Sequence, residues 1–247
     1  MRYFIQFSYF GKAYHGWQNQ PNAITVQQVL EKALSTLLRS KIAVMGAGRT
    51  DAGVHAKEMY AHLDFKEIED TTDLVLRLNN FLPADICVKS IFRVAAEAHA
   101  RFDAIERTYE YWIVKDKNPF QIETAHFVWK PLNVDAMNTA AKILLEYKDF
   151  ECFSKSNTDV KTYNCTIEKA VWEIKEDKLV FTITADRFLR NMVRAVVGTL
   201  LEVGLGKIES EAIRTIIKSK DRGEAGVSVP AKGLYLTSIL YPKKINE

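Results

Sequence analysis

The order of its amphipathic segments constrains the fold of this chain most, because nearly the same order occurs twice. In the first half, apolar residues at Ile5, Phe7 and Tyr9 alternate with polar ones and predict a strand. A helix is predicted to begin at Thr25, which forms a capping box with Gln28 ahead of an apolar stripe. Strands at 42–46, 59–65 and 86–94 and a short helix at 73–81 complete this half. The first half therefore reads β-α-β-β-α-β.

The second half largely repeats this order. Its predicted strands lie at 107–115, 167–175, 178–185 and 234–241, and its predicted helices at 135–147, 188–203 and 209–218. Glu176 and Asp177 form the predicted turn of a hairpin. We predict an α+β protein of two similar α/β-plait (ferredoxin-like) units, residues 1–104 and 105–247. The sheets are expected to be mostly antiparallel with helices on one face, and an active-site cleft is expected between the units.

Composition narrows the class of protein. A chain of 247 residues with 47% apolar residues can bury a sizeable core. Its apolar runs are far shorter than the roughly 18 residues of a membrane-spanning helix, and it begins like a strand, so we expect a cytoplasmic protein without a membrane partner. Cys87, Cys152 and Cys165 contain no C-x-x-C spacing and are expected to be buried free thiols. With a net charge of only +3, any nucleic-acid surface must be local.

A glycine-rich loop carries the clearest chemical signal. Residues 46–56 read GAGRTDAGVHA and place Asp51 two residues after Arg49, between two predicted strands. Such a loop can hold the carboxylate of Asp51 ionised and exposed at a cleft. On spacing alone, an Asx-turn or a helix cap accounts for Asp51 equally well, with Arg49 an ordinary neighbour.

Arginines mark a second segment, residues 187–203. Arg187, Arg190 and Arg194 fall at i, i+3 and i+7 and are predicted to share a helix face away from the apolar stripe. A solvated cationic face is the simpler interpretation, especially for Arg187, but Arg194 borders the stripe and would need an anionic partner if covered. Gly198, one turn further, leaves room for backbone or ligand to approach.

Two tyrosines, Tyr109 and Tyr111, are predicted to share one face of the strand at 107–115. Such pairs usually pack in a core or on a surface, but beside a basic cleft they offer a platform for a nucleobase. The histidines have no metal-ligand spacing, and the chain contains no P-loop, G-x-G-x-x-G or G-x-S-x-G pattern. Nucleotide cofactors, ATP chemistry and serine hydrolysis are therefore unsupported.

Seven ordered segments, spread over most of the chain, carry a resemblance to one known family. They are YFGKAYHGWQNQ at 9–20, TVQ at 25–27, GRTDAGVHA at 48–56, HARFDA at 99–104, RTYEY at 107–111, FLRNMVRAVVG at 188–198 and GLYL at 233–236. Together they resemble the TruA family of tRNA pseudouridine synthases, and the GRTDAGVH stretch is highly specific.

The resemblance implies an isomerase, an intramolecular transferase that converts uridine to pseudouridine. The implied target is the anticodon stem-loop of tRNA, at about positions 38–40. It also implies a homodimer whose basic surfaces jointly hold one tRNA, with no metal or organic cofactor. Glu106 and Glu110 depart from the family, whose members often carry basic residues there, and residues 154–166 match poorly. These departures bear on tRNA affinity rather than on the reaction.

The resemblance also assigns residues. It maps the catalytic aspartate of the family onto Asp51, the loop arginine onto Arg49, the active-site tyrosine onto Tyr109 and the arginine that pairs with the aspartate onto Arg194. We further expect Leu236 to line the pocket and exclude water. Asp51 either attacks C1′ of the ribose or removes a ribose proton to give a glycal-like intermediate, and the sequence leaves both routes open.

Two other functions remain as alternatives. Tyrosine strands and scattered arginines would equally serve a non-catalytic RNA-binding protein or RNA chaperone. A glycosidase-like or nuclease activity using Asp51 with Asp103 is the second alternative, but no metal-ligand set or second matched carboxylate motif supports it.

Overall fold

The strands and helices of the protein lie largely where the sequence predicts them. A computed structural model of the protein describes residues 1–155 and 160–245. Over these residues the chain forms, in order, β1 (Arg2–Tyr9), α1 (Val26–Leu38), β2 (Met45–Gly46), β3 (His55–Asp64), α2 (Thr71–Phe81), β4 (Ile86–Val94), β5 (Glu106–Val114), β6 (His126–Phe127), α3 (Val134–Ile143), β7 (Ile167–Lys175), β8 (Lys178–Ala185), α4 (Met192–Gly204), α5 (Ala212–Ser219) and β9 (Leu234–Leu240). The mixed α+β class with largely antiparallel strands is confirmed.

The chain divides into two compact units. Unit 1 contains residues 1–106 together with the chain from Tyr235 onward, and unit 2 contains residues 107–234. The sequence pattern instead predicts that the last strand lies in the second unit, residues 105–247. It lies in unit 1 because β9 pairs in parallel with β3, with His55 opposite Tyr235 and Ala56 opposite Leu236. The local pattern of apolar residues cannot reveal a pairing between two strands that are so far apart in the sequence.

Unit 1 is built on the strand order β4-β1-β3-β9, and β2 also pairs with β3. Strand β1 runs antiparallel to both β3 and β4, and its register against β3 shifts between Phe7 and Tyr9. The predicted helix cap at Thr25 is confirmed, since its hydroxyl accepts a hydrogen bond of 3.3 Å from the Gln28 amide. Asp70 caps α2 in the same way. The predicted strand at 42–46 shortens to the two residues of β2.

Unit 2 is built on the strand order β5-β8-β7, with β6 parallel to β5. The predicted hairpin is confirmed, because β7 and β8 are antiparallel and the turn brings Lys175 opposite Lys178. Asn138 of α3 connects the helix to β7. Its side-chain amide donates a hydrogen bond to the carbonyl oxygen of Trp172 and accepts one from the Trp172 backbone amide. Residues 156–159, part of the poorly matching region 154–166, lie outside the described residues.

The predicted arginine face was wrong, because α4 begins later than its apolar pattern indicates. Asn191 has a φ of 67°, in the left-handed region, and the helix starts at Met192. Arg187 and Arg190 therefore precede the helix, and of the three arginines Arg194 lies on it. The expected close approach at Gly198 is confirmed, since a Cβ there would come closer than 3.0 Å to the carbonyl oxygen of Val227.

The cysteines differ from one another in exposure. Cys152 and Cys165 are buried, and burial raises the pKa of each thiol to about 12. Cys87 is exposed, so the expectation that all three are buried was wrong. It lies on β4 opposite Ser8, at the edge of the unit 1 sheet. Within the described residues, the structure contains no helix that is both long and apolar enough to cross a membrane.

Candidate active site

The loop between β2 and β3 presents Asp51 at the start of a tight turn. The amide of Val54 donates to the carbonyl oxygen of Asp51 over 3.2 Å, and Gly53 adopts a φ of 77° within this turn. Asp51 is half-buried and Arg49 is exposed, whereas Thr50 between them is buried. The loop thus exposes Arg49, leaves Asp51 partly accessible and is anchored through Thr50.

A preceding segment, residues 9–17, clamps this loop. The Trp17 amide donates to the carbonyl of Thr50 over 3.2 Å, and the Gly53 amide donates to the carbonyl of Tyr14 over 3.3 Å. The hydroxyl groups of Tyr9 and Thr50 share a buried hydrogen bond of 2.8 Å. Main-chain bonds on both sides of Asp51 therefore fix its backbone, which limits the positions that the carboxylate can adopt.

Glycines make this close approach possible. A Cβ on Gly11 would lie closer than 3.0 Å to the carbonyl oxygen of Val54, and a Cβ on Gly16 would also lie closer than 3.0 Å to that of Thr50. Gly16 also has a φ of 88°, which L side chains rarely adopt. In the sequence, these glycines stand out only as part of the segment YFGKAYHGWQNQ that carries the family resemblance. The available signal was the pair of glycines in the segment YFGKAYHGW, which predicts two places of tight backbone contact.

A second layer supports the clamp. The hydroxyl of Tyr14 donates to Asp85 over 2.6 Å, and burial together with this carboxylate raises the pKa of Tyr14. Nδ1 of His55 accepts a hydrogen bond of 2.9 Å from the Gly11 amide, so this nitrogen carries no proton. The His55 ring stacks on Phe10 with centroids 4.2 Å apart. His55 thus supports the clamp through Gly11, a contact that no motif in the sequence indicates.

The two tyrosines of β5 have different environments. Tyr111 has 0% of its surface exposed, and its hydroxyl donates to the carbonyl of Pro230 over 2.9 Å. Burial raises its pKa. A platform formed by both tyrosines was therefore a wrong prediction, because Tyr111 belongs to the core. Tyr109 is half-buried and meets the ring of Phe188 edge to face at 5.2 Å.

Arg194 is half-buried near the start of α4, and the segment that follows α5 holds it. Its Nε donates to the carbonyl of Val229 over 2.8 Å, and the Val229 amide donates back to the carbonyl of Arg194 over 3.2 Å. Nearby, Ser228 accepts hydrogen bonds from Asn191 and from Arg222. The Nε bond fixes the plane of the Arg194 guanidinium, whose two Nη atoms form an edge with the geometry for a bidentate contact.

The structure also shows the surroundings of Leu236 and Glu110, two residues singled out from the sequence. Leu236 is 2% exposed and lies on β9 opposite Ala56. Glu110, one of the two acidic departures from the family, accepts hydrogen bonds of 2.9 Å from Trp112 and from Lys175. Its negative charge therefore has a cationic partner within unit 2.

Comparison with known proteins identifies the family. A family model described as tRNA pseudouridine synthase matches residues 5–103 and 140–242. Three relatives, each named tRNA pseudouridine synthase A, come from Parabacteroides distasonis, Bacteroides thetaiotaomicron and Thermoanaerobacter sp.. They are 52%, 51% and 42% identical, over 99%, 99% and 96% of this chain and 97%, 92% and 98% of their own length. Asp51, Arg194 and Leu236 lie in the matched ranges, whereas Tyr109 lies outside them. The chain therefore belongs to the tRNA pseudouridine synthases, a family of isomerases.

Proposed function

We propose that this protein converts uridine to pseudouridine in the anticodon stem-loop of tRNA, at about positions 38–40, with Asp51 as the catalytic residue. The observation that carries the proposal is the half-exposed position of Asp51 on a loop whose backbone is bonded to residues 14 and 17. An Asx-turn or a helix cap would explain a surface aspartate, but it would not require the two tightly packed glycines that hold this loop. A fixed carboxylate at the surface suits a reaction that depends on orientation.

The chemistry requires an ionised carboxylate. The reaction breaks the bond between C1′ and N1, rotates the uracil and forms a bond between C1′ and C5. The proton on C5 is lost and N1 gains one, so the product has the same composition as the substrate. Asp51 acts either as a nucleophile at C1′ or as a base that removes a ribose proton. Both routes require the negatively charged carboxylate. In both, the detached uracil stays bound to the protein until it rejoins C1′ through C5.

Arg194 is the proposed partner of Asp51. A guanidinium held through Nε presents its two Nη atoms as a fork that fits a carboxylate, and Arg194 is held through Nε by Val229. Such a pair would fix the rotamer of Asp51 and place a positive charge beside its carboxylate. The half-buried position of Arg194 supports the proposal, because a cation withdrawn from water gains most from an anionic partner.

Three other residues complete the proposed site. A stacked base in an RNA stem is out of reach, so the target uridine must first leave the stack, at a cost of a few kcal/mol. The exposed Arg49 is suited to occupy the vacated space. Tyr109 stacks on the flipped uracil, and its hydroxyl assists removal of the C5 proton. Leu236 gives the pocket an apolar wall that excludes water.

We further propose that the protein acts as a homodimer in the cytoplasm and uses no metal or organic cofactor. With a net charge of +3, tRNA must be met by local groups of Lys and Arg rather than by the charge of the whole chain. Exposed arginines such as Arg49 and Arg101 are of this kind.

The test is release of tritium from unmodified tRNA labelled at C5 of uridine. The purified protein should release tritium stoichiometrically with pseudouridine and leave the RNA chain intact. Binding of tRNA without release would favour the RNA-binding or chaperone alternative. Appearance of free uracil or of cleaved strands would favour the glycosidase-like or nuclease alternative. Either outcome would overturn the proposed reaction.

A further inference from the structure

The loop between β4 and β5, residues 95–105, carries an exposed aromatic ring on a backbone that hydrogen bonds hold in place. Phe102 is 74% exposed, yet its backbone is firmly bonded. Nδ1 of His99 accepts hydrogen bonds from the amide of Arg101, at 3.1 Å, and from the amide of Phe102, at 3.3 Å. One imidazole nitrogen thus organises the two residues at the tip of the loop.

Further bonds anchor this loop on the unit 1 sheet. The His99 amide donates to the carboxylate of Asp103 over 2.7 Å, and the Asp103 amide donates back to the His99 carbonyl over 3.0 Å. The Ala100 amide donates to Nδ1 of His62 on β3 over 3.1 Å. Arg2 of β1 donates to the carbonyl of Ala98 over 3.0 Å. The loop is therefore held from within and from two strands of the sheet.

The side chains at the tip form a short stack. The Phe102 ring lies on His99 with centroids 4.3 Å apart, and the guanidinium carbon of Arg101 lies 5.8 Å from the Phe102 centroid. Exposing most of a phenylalanine on an ordered loop forgoes the stabilisation that burial would give it. An aromatic ring next to a guanidinium matches the chemistry with which proteins bind unstacked bases of RNA.

We propose that Phe102 and Arg101 form a second tRNA-binding surface. One unpaired nucleobase stacks against Phe102, and Arg101 contacts the phosphate of the same nucleotide. This rests on the proposed function only in taking tRNA as the ligand. The cation beside the ring favours an RNA strand, since a ring for an apolar partner protein needs no adjacent guanidinium.

This surface lies away from Asp51 within unit 1. Asp51 precedes β3 by four residues, whereas Ala100 is bonded to His62, which is seven residues further along that strand than His55. At about 3.3 Å per residue, His62 lies about 23 Å along β3 from His55, which is at the end of the strand next to Asp51. The stacked base is therefore a different nucleotide from the target uridine. The surface is expected to raise affinity for tRNA rather than to take part in the chemistry.

Four variants separate stacking from other roles. Binding of a fluorescently labelled, unmodified tRNA transcript is measured for Phe102→Ala, Phe102→Leu, Phe102→Tyr and, as a control, Phe81→Ala, which removes a partly exposed phenylalanine at the end of α2. Phe102→Ala and Phe102→Leu should each raise the Kd about tenfold, because both remove the aromatic ring. Phe102→Tyr and Phe81→Ala should bind like the wild type. Single-turnover tritium release at saturating tRNA should fall much less than the affinity does.

Arg101→Gln tests the phosphate contact. It should reduce the slope of log Kd against log salt concentration by about 0.7, the value for one contact to single-stranded nucleic acid. Unchanged binding by Phe102→Ala would overturn the proposal, as would equal binding by the Leu and Tyr variants, which would indicate a merely apolar contact. These outcomes differ from failure of the proposed function, in which wild-type protein releases no tritium whatever its affinity for tRNA.

Discussion

The hydroxyl oxygens of Tyr9 and Thr50 lie 2.8 Å apart in a buried hydrogen bond, and Thr50 directly precedes Asp51 in the chain. This bond ties the end of β1 to the loop that carries the proposed catalytic carboxylate. Its removal should loosen the loop without removing any group that touches substrate. The effect on turnover should therefore exceed the effect on tRNA affinity.

Tyr9→Phe is the smallest change that breaks this tie. Because the buried hydroxyl of Thr50 loses a partner, the free energy of unfolding should fall by about 1 to 3 kcal/mol. Single-turnover tritium release should slow severalfold while the Kd for tRNA stays close to the wild-type value. Urea unfolding and rapid-quench kinetics measure the two effects. A rate equal to that of the wild type would show that this bond does not position Asp51.

Gly16→Ala tests the tight approach between the clamp and the loop. The added methyl group would meet the carbonyl oxygen of Thr50 closer than 3.0 Å, and the backbone has a φ of 88°. Gly206→Ala is the matched control, since Gly206 has a φ of 67° with nothing within 4 Å of its would-be Cβ. The control should lose about 1 kcal/mol of stability, and Gly16→Ala should lose more and also lose turnover. Equal losses in both variants, measured by thermal unfolding, would contradict the steric argument.

The elements that sequence alone identifies are those whose cause is local. The hairpin of β7 and β8 and the cap of α1 at Thr25 follow from neighbouring residues, and both are confirmed. The start of α4 was misplaced because Asn191 adopts a left-handed conformation that the apolar stripe does not reveal. The pairing of β9 with β3 could not be predicted, because the two strands are remote from each other in the sequence.

The sequence likewise reveals some features of the candidate site and not others. Asp51 and its loop are visible in the sequence because glycines surround a carboxylate beside an arginine. The glycines of residues 9–17 indicate tight backbone contacts, but the sequence does not show what they contact, since the hydrogen bonds of the clamp join segments that are more than 30 residues apart. The two tyrosines of β5 show the limit most clearly. Alternation puts Tyr109 and Tyr111 on one face, but their unequal burial depends on what covers each ring.

His62 should make stability depend on pH. Burial, followed by the positive charge of Arg2, lowers its pKa from an ordinary 6.5 to about 4. In the unfolded chain His62 therefore binds a proton first as the pH falls. Its contribution to stability is fully present above about pH 6.5 and is lost between there and about pH 4. Between pH 7 and pH 5 the free energy of unfolding should fall by about 2 kcal/mol from this residue.

The control for this pH dependence is His62→Gln, which keeps an acceptor for the Ala100 amide but cannot be protonated in this range. Burial also lowers the pKa of His99 and of His126, so the variant should retain part of the pH dependence. Urea unfolding at pH 7 and pH 5 measures the difference. An identical loss of stability in wild type and variant would contradict the assignment to His62.

Arg194 should affect chemistry more than binding. Arg194→Lys keeps a positive charge but loses the planar fork, so turnover should fall because the carboxylate of Asp51 is less well oriented. Arg194→Met should be slower still, because it removes both the fork and the positive charge that would face this carboxylate. Single-turnover rates at saturating tRNA should rank wild type, then Lys, then Met. If Arg194→Met weakened tRNA binding but left this rate unchanged, Arg194 would be a phosphate contact.

The most direct measurement compares wild type with Asp51→Asn for tritium release from tRNA labelled at C5 of uridine. The substitution removes one negative charge with almost no change of shape, so folding and tRNA binding should stay close to the wild type. Asp73→Asn, which alters an exposed carboxylate on α2, serves as the control. The account predicts that Asp73→Asn releases tritium like the wild type and that Asp51→Asn releases none. Release by Asp51→Asn near the wild-type rate would contradict the assignment of Asp51 as the catalytic residue.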